Sequence, residues 1–428
     1  MAVHAESFAR LVASTSKLAG IPQLRHAFVP SPVGGRTPTE LRAYIEGPNP
    51  ITGHPFIDDM MFGLTGALTE EDMKGVKFER VRPRLLEPGT EDELRTIFLE
   101  NGWTDYLPII LPTEGRVAAM LAGTSHDKDE PAGKIRATGT RDFWEFTVEQ
   151  AAVNAVMAGA QPEHFPTILA LLTSGITARW SSMSSAAVMV LINGPIRHEL
   201  QMNSGIGALS QYNLANSVIG RSYGLGSQNL QGGSVPAISY MGTIGNPMNL
   251  VNMCVAENEE DSPWEPYHVQ RGFKESDSVA TVYTGVRSLP RGASSKEGLA
   301  KVLESFVPGW GAFFLIDPLV ARNLIEREGV KSKEELSAWL ADRSYIPAGR
   351  WWATGLQDVF FGARARQGVE PYATYLQADP EELIRLNEPQ DIHFGVVGGR
   401  VIPDSWAVEG HPSSFGNNAK VVSIDKWR

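Results

Sequence analysis

Residues 186–195, AAVMVLINGP, decide the fold class of this chain. The first seven form a continuous apolar run, which is typical of a strand buried on both faces of a sheet. Pro195 follows Asn193-Gly194 and suits the first position of a helix, because its missing N–H would have no partner there. A buried strand that leads directly into a helix predicts an α/β (or α+β) protein.

A second stretch repeats this order. Residues 311–316, GAFFLI, predict another buried strand, and Asp317-Pro318 caps the helix after it. In both places a helix precedes the strand, and a glycine, a further helix and Arg-Ser-Tyr follow the proline helix. The shared order predicts a duplicated α/β body with halves at 146–265 and 266–428, the second ending in a tail of loop and strands. The alternative is that unrelated α/β units share this pattern.

The N-terminal part of the chain is rich in proline and glycine. Residues 1–88 predict an extended, irregular arm with one short helix over 38–46, capped by Thr37. Large apolar side chains such as Phe56 and Phe62 predict that the arm packs on the body or on another copy, so we expect a homo-oligomer. Residues 89–145 predict a small helical segment that begins with a capping box at Thr90.

Composition excludes several classes of protein. The chain has 428 residues, a net charge of −11 and one cysteine, which rules out an intramolecular disulfide and a zinc–thiolate cluster. The negative charge argues against binding to nucleic acid or to an anionic membrane surface. No apolar run is long enough to span a bilayer, and the first residues do not show a basic segment followed by an apolar core, so we expect a soluble cytoplasmic protein.

The densest group of titratable residues is the segment 256–268, AENEEDSPWEPYH. Glu257 follows an apolar run, so it is expected at the carboxyl end of a strand, where α/β sheets bind ligands. Trp264 is predicted to be an apolar wall that raises a carboxyl pKa, and His268 a proton-transfer partner. Glu257, His268 and Glu260 are therefore the candidate catalytic residues. The alternative is a solvated acidic loop.

A second constellation contains small and amide side chains. Asn203, Ser204 and Asn216 could orient a small molecule, and Arg221 could bind its carboxylate or phosphate. The spacing matches neither the dinucleotide fingerprint nor a P-loop. The alternative is a helix end followed by a packed helix.

Three further features remain open from sequence. Asp105 is a candidate third acid or a turn residue, and Asn154 in an apolar helix is either structural or ligand-facing. The glycine-rich stretch 224–234 predicts a loop or a lid. Cys254 lies in an apolar run and is expected to be an inert core thiol.

Metal binding has weak support in the sequence. The nine histidines are scattered and no two form an H-x-x-x-H pair. Glu257, Glu260 and His268 could bind a divalent metal with one more carboxylate. We therefore predict no cofactor and no assigned metal ligand, with a divalent metal left as an alternative.

Four motifs together resemble a known family: GWTDYLP at 102–108, VNAVMAG at 153–159, NGPIR at 193–197 and AENEE at 256–260. They are similar to those of a poorly characterised bacterial family whose members are associated or fused with the selenoprotein domain named for its U-G-S-C motif. The resemblance runs from about Glu87 to the C-terminus. This chain has no U-G-S-C or C-G-S-C segment, so the resemblance implies at most a separate redox partner.

These observations predict a cofactor-independent enzyme of hydrolase or lyase type that uses acid–base chemistry on a small polar or anionic molecule. Asn203, Ser204, Asn216, Arg221, Trp264, Asp105 and Asn154 are the candidate substrate-binding residues. One alternative is a non-catalytic subunit that binds substrate for a thiol or selenol redox protein. Another is a metal-dependent hydrolase.

Overall fold

The structure is a computed structural model of the chain. It describes every residue except 35, 76–83, 137–142, 180–185, 211, 232–239, 241, 243, 291, 308, 354–356 and 412–418. In the part of the chain that it describes, no helix has the length and apolar character needed to cross a lipid bilayer.

The N-terminal segment 1–75 has more regular structure than its sequence predicts. Its elements are β1 (Ala2–Ala5), α1 (Ala9–Leu18), β2 (His26–Val29), α2 (Pro38–Glu46), α3 (Phe56–Thr65) and α4 (Glu70–Met73). The predicted helix and its Thr37 cap are confirmed, with Thr37 and Glu40 forming a capping box. Many of the prolines and glycines lie at the ends of elements, where they do not interrupt hydrogen bonding. The outer face of α3 exposes apolar side chains, among them Phe62 and Leu64.

The next segment joins this unit to the main body. Its elements are α5 (Glu91–Glu100), α6 (Glu114–Leu121), β3 (Pro131–Arg136) and β4 (Phe143–Thr147). The capping box at Thr90 is present as predicted, and Thr113 caps α6. Strands β3 and β4 form an antiparallel pair, which the sequence did not predict.

The main body consists of a mixed sheet covered by helices. The strands of this sheet are β5 (Ala187–Asn193), β6 (Cys254–Ala256), β7 (Val279–Pro290), β8 (Ala312–Ile316), β11 (Ile392–Val396), β12 (Ser405–Gly410) and β13 (Ala419–Ser423). Two further strands, β9 (Tyr345–Pro347) and β10 (Leu383–Arg385), form a separate antiparallel pair. The helices of the body are α7 (Val148–Ala158), α8 (Phe165–Leu172), α9 (Ile196–Glu199), α10 (Leu214–Gln231), α11 (Tyr267–Gln270), α12 (Lys296–Glu304), α13 (Pro318–Glu328), α14 (Lys333–Ala341), α15 (Ala348–Trp352), α16 (Ala363–Arg366) and α17 (Tyr372–Gln377). The predicted α/β class is therefore confirmed.

The strand order of the sheet is symmetric. It runs β11-β8-β12-β7-β5-β6, with β13 also paired to β7. The outer pairs β11/β8 and β5/β6 are parallel, whereas the contacts of β12 and β7 are antiparallel. Exchanging β5 with β8, β6 with β11 and β7 with β12 gives the same order read from the opposite edge of the sheet. A duplicated body would have this arrangement.

The two ends of the sheet approach each other. The backbone N–H of Asn258, just beyond β6, donates to the carbonyl oxygen of Val396 at the end of β11 over 2.7 Å. Strands β6 and β11 are the outermost strands of the sheet. The sheet therefore curls until the carboxyl ends of its two outer strands are in contact.

Side chains alternate between the two faces of the curled sheet. In β5, Val190 and Ile192 pack in the core beneath α7, α8 and α10, whereas Leu191 points to the enclosed face. In β8, Phe314 packs in the core beneath α12, α13 and α14, whereas Leu315 joins the enclosed face. This period of two is inherent to a strand, and it gives the body two outer cores and one inner core.

Helix α10 replaces a predicted loop. It continues through Gly224 and Gly226 to Gln231, and residues 232–234 of the predicted loop lie outside the described residues. A Cβ on Gly226 would lie 2.5 Å from Leu172 Cδ2 of α8. The glycines therefore allow α10 and α8 to pack closely. A glycine-rich stretch in the sequence predicts a loop just as well as a closely packed helix, so the sequence did not separate the two.

Candidate functional site

An open cleft lies at the carboxyl ends of the parallel strands β8 and β11. Its volume is about 240 Å³, close to the space occupied by a small organic molecule. Its walls come from residues 206–209, 397–399, 401–402 and 404–406, together with Leu315 and Asp317. The position agrees with the general rule that α/β sheets bind ligands beyond the carboxyl ends of their strands.

Asp317 lies in this cleft as the first residue after β8. It is 6% exposed and also caps α13, because its Oδ1 accepts a hydrogen bond from Val320 N over 2.8 Å. Its Oδ2 accepts from Asp404 N over 2.6 Å. An ionised carboxylate has about four acceptor sites, so the Asp317 carboxylate retains capacity for a ligand.

Asp404 contributes a second carboxylate to the cleft lining. Its side chain is exposed, and its Oδ1 accepts from Ser405 N. Burial raises the pKa of Asp317, and the charge of Asp404 adds to this increase, although backbone N–H groups partly oppose it. Asp317 is therefore more readily protonated than an ordinary aspartate.

A loop at 203–209 forms one wall of the cleft. The Asn216 side chain fixes this loop by bonding to both backbone groups of Asn203: its Oδ1 accepts from Asn203 N, and its Nδ2 donates to Asn203 O. The Ser204 carbonyl accepts a bond from Gly398 N on the opposite wall. These three predicted binding residues therefore position the loop that lines the cleft.

The opposite wall, formed by residues 397–399 and 401–402, is held by the acidic segment. Asn258 Nδ2 donates to the carbonyl of Gly398 over 2.9 Å. Asp261 forms an ion pair with Arg400. The segment from Glu257 to Asp261 thus lies directly behind the cleft wall.

Glu257 is buried and fully engaged. It is 0% exposed, and its Oε1 accepts bonds from Lys333 Nζ and Val396 N at 2.6 and 3.1 Å. Its Oε2 accepts from Asn193 Nδ2 and Tyr267 N at 2.5 and 2.7 Å. All four acceptor sites of the carboxylate are occupied. In this arrangement Glu257 joins β5, β6, β11 and α14, and it does not line the cleft.

The electrostatics of Glu257 differ from the predicted ones. Burial alone would raise the pKa of this carboxyl, but the charge and hydrogen bond of Lys333, with those of Tyr267 N and Asn193, lower it below its usual value. Trp264 packs in the outer core beneath α13 and α14, and its Nε1 donates to Val330 O over 3.4 Å. The pKa of Glu257 is thus lowered rather than raised, because an ion pair outweighs the apolar surroundings.

Glu260 belongs to a surface network around Arg197. Arg197 is buried and donates to the Glu257 carbonyl and to the carboxylates of Glu259 and Glu260. The hydrogen bond from Arg197 lowers the pKa of Glu260 to about 2. His198 Nε2 lies 2.7 Å from Glu260 Oε1 on the exposed side. This network connects α9 to the acidic segment outside the cleft.

His268 lies close to Glu259 rather than being bonded to Glu257. Its side chain is 0% exposed, and its Nδ1 is 3.9 Å from Glu259 Oε1. Neither ring nitrogen has a hydrogen-bond partner within the described residues. The Glu257 carboxyl and the His268 imidazole are thus both buried in the acidic segment, but no hydrogen bond joins them, and direct proton transfer between them requires one.

Three other predicted site residues lie outside the cleft lining. Arg221 forms a two-point ion pair with Asp105, with both N···O distances at 2.9 Å, and also donates to Pro108 O. Asn154 accepts from Asn229 Nδ2 of α10 and donates to Gln150 O. These contacts fasten α10 to the 102–108 segment and to α7.

Cysteine and metal chemistry have little support from the described residues. Burial raises the pKa of Cys254 to about 12, so the thiol stays protonated at neutral pH. The described part of the chain contains no group of three or more His, Cys, Asp or Glu side chains arranged to hold a metal ion.

The residues that sequence reasoning missed are Asp317, Asp404 and Lys333. Asp317 follows a predicted buried strand, so the rule applied to Glu257 could have identified it too. Lys333 occupies the first turn of α14, where the helix dipole disfavours a cation. That unfavourable position was the available signal that Lys333 has a specific partner.

Comparison with protein-family models, with curated proteins and with solved structures found no match to this chain.

Proposed function

We propose that this protein is a small-molecule enzyme of hydrolase or lyase type, that its substrate occupies the cleft beyond β8 and β11, and that Asp317 is its proton-transferring group. One observation carries the proposal. Asp317 is a nearly buried carboxyl at the end of a parallel strand pair, on an open cleft. That combination of position, burial and access is typical of acid–base sites.

The environment of Asp317 supports proton transfer. Its raised pKa brings the carboxyl closer to the range in which one group can both donate and accept a proton. In the protonated state it would donate to a leaving group, and in the ionised state it would remove a proton from the substrate. Its two backbone hydrogen bonds fix the carboxyl in place, which is what a positioned catalyst requires.

Several residues around the cleft, some of them predicted from the sequence, have supporting roles in this proposal. Asn216 and Ser204 hold one wall of the cleft, and Asn258 holds the other. Glu257 fixes Val396, immediately before the wall residue Val397. We therefore assign Glu257 a positioning role in place of the predicted role as general base.

A non-catalytic binding subunit is the second candidate. Asp317 also serves as the N-cap of α13, and a carboxylate kept for capping can bind a ligand without exchanging protons. In that case Asp317→Asn would preserve turnover by any partner enzyme, because the amide oxygen can still cap the helix.

The test is a screen of small molecules by ligand-observed NMR, followed by assays of each binder for conversion. Val401→Trp should abolish binding, because an indole on this exposed rim position would fill the cleft. Leu250→Trp is the matched control, since Leu250 is equally exposed but does not line the cleft. Asp317→Asn should reduce conversion by a far larger factor than it reduces binding. Binders unaffected by Val401→Trp would place the site elsewhere and refute the proposal.

A further inference from the structure

The cleft carries net negative charge. Asp317 and Asp404 are its charged lining residues, and no Lys, Arg or His side chain is present among the described residues that form its walls. The nearest cation in sequence, Arg400, is paired with Asp261. Two carboxylates close together in a partly desolvated site repel anions and attract a cation.

The floor of the cleft, formed by the Asp317 carboxylate, also offers hydrogen-bond acceptors to a ligand that donates hydrogen bonds. The Asp317 carboxylate accepts backbone N–H bonds from Val320 and Asp404, with a further contribution from the N–H of Leu319, and still retains an acceptor site. A primary ammonium group has three N–H donors and carries the complementary charge. Charge-assisted bonds of this kind are the strongest that such a floor can form.

The rim of the cleft is apolar and exposed. Its rim residues, each at least 40% exposed, are Ile206, Leu209, Val401 and Ile402. Apolar side chains around a few placed polar groups are the arrangement by which small-molecule sites bind amphipathic ligands. A chain of several methylene groups lying across this rim would be removed from water and would gain affinity with each added carbon.

We infer that the ligand of this cleft is an amphipathic primary amine, with its ammonium group at Asp317 and Asp404 and its hydrocarbon chain across the apolar rim. This inference rests on the proposed function, because it takes the cleft to be the binding site. It replaces the expected polar or anionic substrate with a cationic one.

The test uses three probes of equal chain length against the full-length protein: hexylammonium, hexan-1-ol and hexanoate. Isothermal titration calorimetry at pH 7 should show hexylammonium binding about tenfold more tightly than hexan-1-ol, with hexanoate weakest. Asp404→Asn should remove most of this tenfold preference and leave hexan-1-ol unchanged. Asp404 is exposed, so this variant should fold normally, and circular dichroism would check that it does.

The outcomes separate the two proposals. Equal or tighter binding of hexanoate, or an unaltered preference in Asp404→Asn, would overturn the amine inference while leaving the cleft as a site. If none of the three probes binds, or if Val401→Trp does not affect their binding, both the inference and the proposed site are wrong.

Discussion

Lys333 Nζ lies 2.6 Å from Glu257 Oε1, and both side chains are withdrawn from solvent. The pair joins α14 to the end of β6, and through Val396 N it also reaches β11. It therefore links the two halves of the curled sheet at the point where their outer strands meet. The acidic segment 256–268 thus stabilises the structure behind the cleft.

The first prediction concerns this pair. Lys333→Met leaves the Glu257 carboxylate buried without its cation, which should lower the free energy of unfolding by about 3–5 kcal/mol. Lys331→Met is the matched control two residues away, since Lys331 is exposed and its loss should change stability by less than about 0.5 kcal/mol. Urea denaturation of both variants measures the difference. Equal stability of the two would show that the pair contributes nothing.

The second prediction concerns coupling between the same two residues. Glu257→Gln alone should also destabilise the fold, because it leaves the Lys333 ammonium group buried and unpaired. In the double variant neither charge remains, so its loss should be smaller than the sum of the single losses by about 1–3 kcal/mol. A full double-mutant cycle by chemical denaturation provides the measurement. Simple additivity would contradict the direct interaction.

The third prediction distinguishes a structural from a ligand-binding role for Arg221. Arg221→Met removes both hydrogen bonds to Asp105 and should cost about 1–3 kcal/mol of stability. Hexylammonium affinity should stay the same, because Arg221 does not line the cleft. Arg95→Met is the control, since Arg95 forms an exposed ion pair within one helix. Loss of ligand affinity without loss of stability would restore the predicted substrate-binding role.

The fourth prediction concerns pH. Burial lowers the pKa of His393 to about 3, whereas an unfolded histidine titrates near 6.5. Between these values the unfolded chain binds a proton that the folded chain does not. The stabilisation is therefore complete above pH 6.5 and is lost as the pH falls toward 3, with a slope of about 1.4 kcal/mol per pH unit.

The variant His393→Asn isolates this effect from the other titrating groups. As the pH rises from 4 to 6, wild-type protein should gain about 1.4 kcal/mol per pH unit relative to the variant. Denaturation at several pH values measures the difference between the two proteins. A difference that does not change with pH would mean that His393 is protonated in the fold or is accessible to water.

Local structure was largely predictable from the sequence. Thr37 and Thr90 each accept a hydrogen bond at the start of the helix they were expected to cap. The strands β5 and β8 agree with their apolar runs to within a residue at either end. These features depend on neighbours in the chain, so short patterns contain the information needed.

The site was predictable only in part. Asn203, Ser204 and Asn216 were identified as a group, and they do support a wall of the cleft. Taken as separate residues, they suggested direct contact with a ligand. In the structure, the side-chain amides of Asn203 and Asn216 bond to backbone groups of the loop instead. The sequence predicted Asp317 as a helix cap, but it did not predict that the same residue also lines a cleft.

The sequence by itself determined the α/β class, the starts of several helices, the two buried strands that organise the body and the neighbourhood of chemically active residues. Only the tertiary structure decided which carboxylates remain accessible. Lys333 is 76 residues from Glu257 in sequence and saturates it, while residues 397–406 fold over Asp317 and leave a cleft. The protonation state and accessibility of a carboxyl depend on groups within a few ångströms in space, and no local pattern specifies which distant residues those groups are.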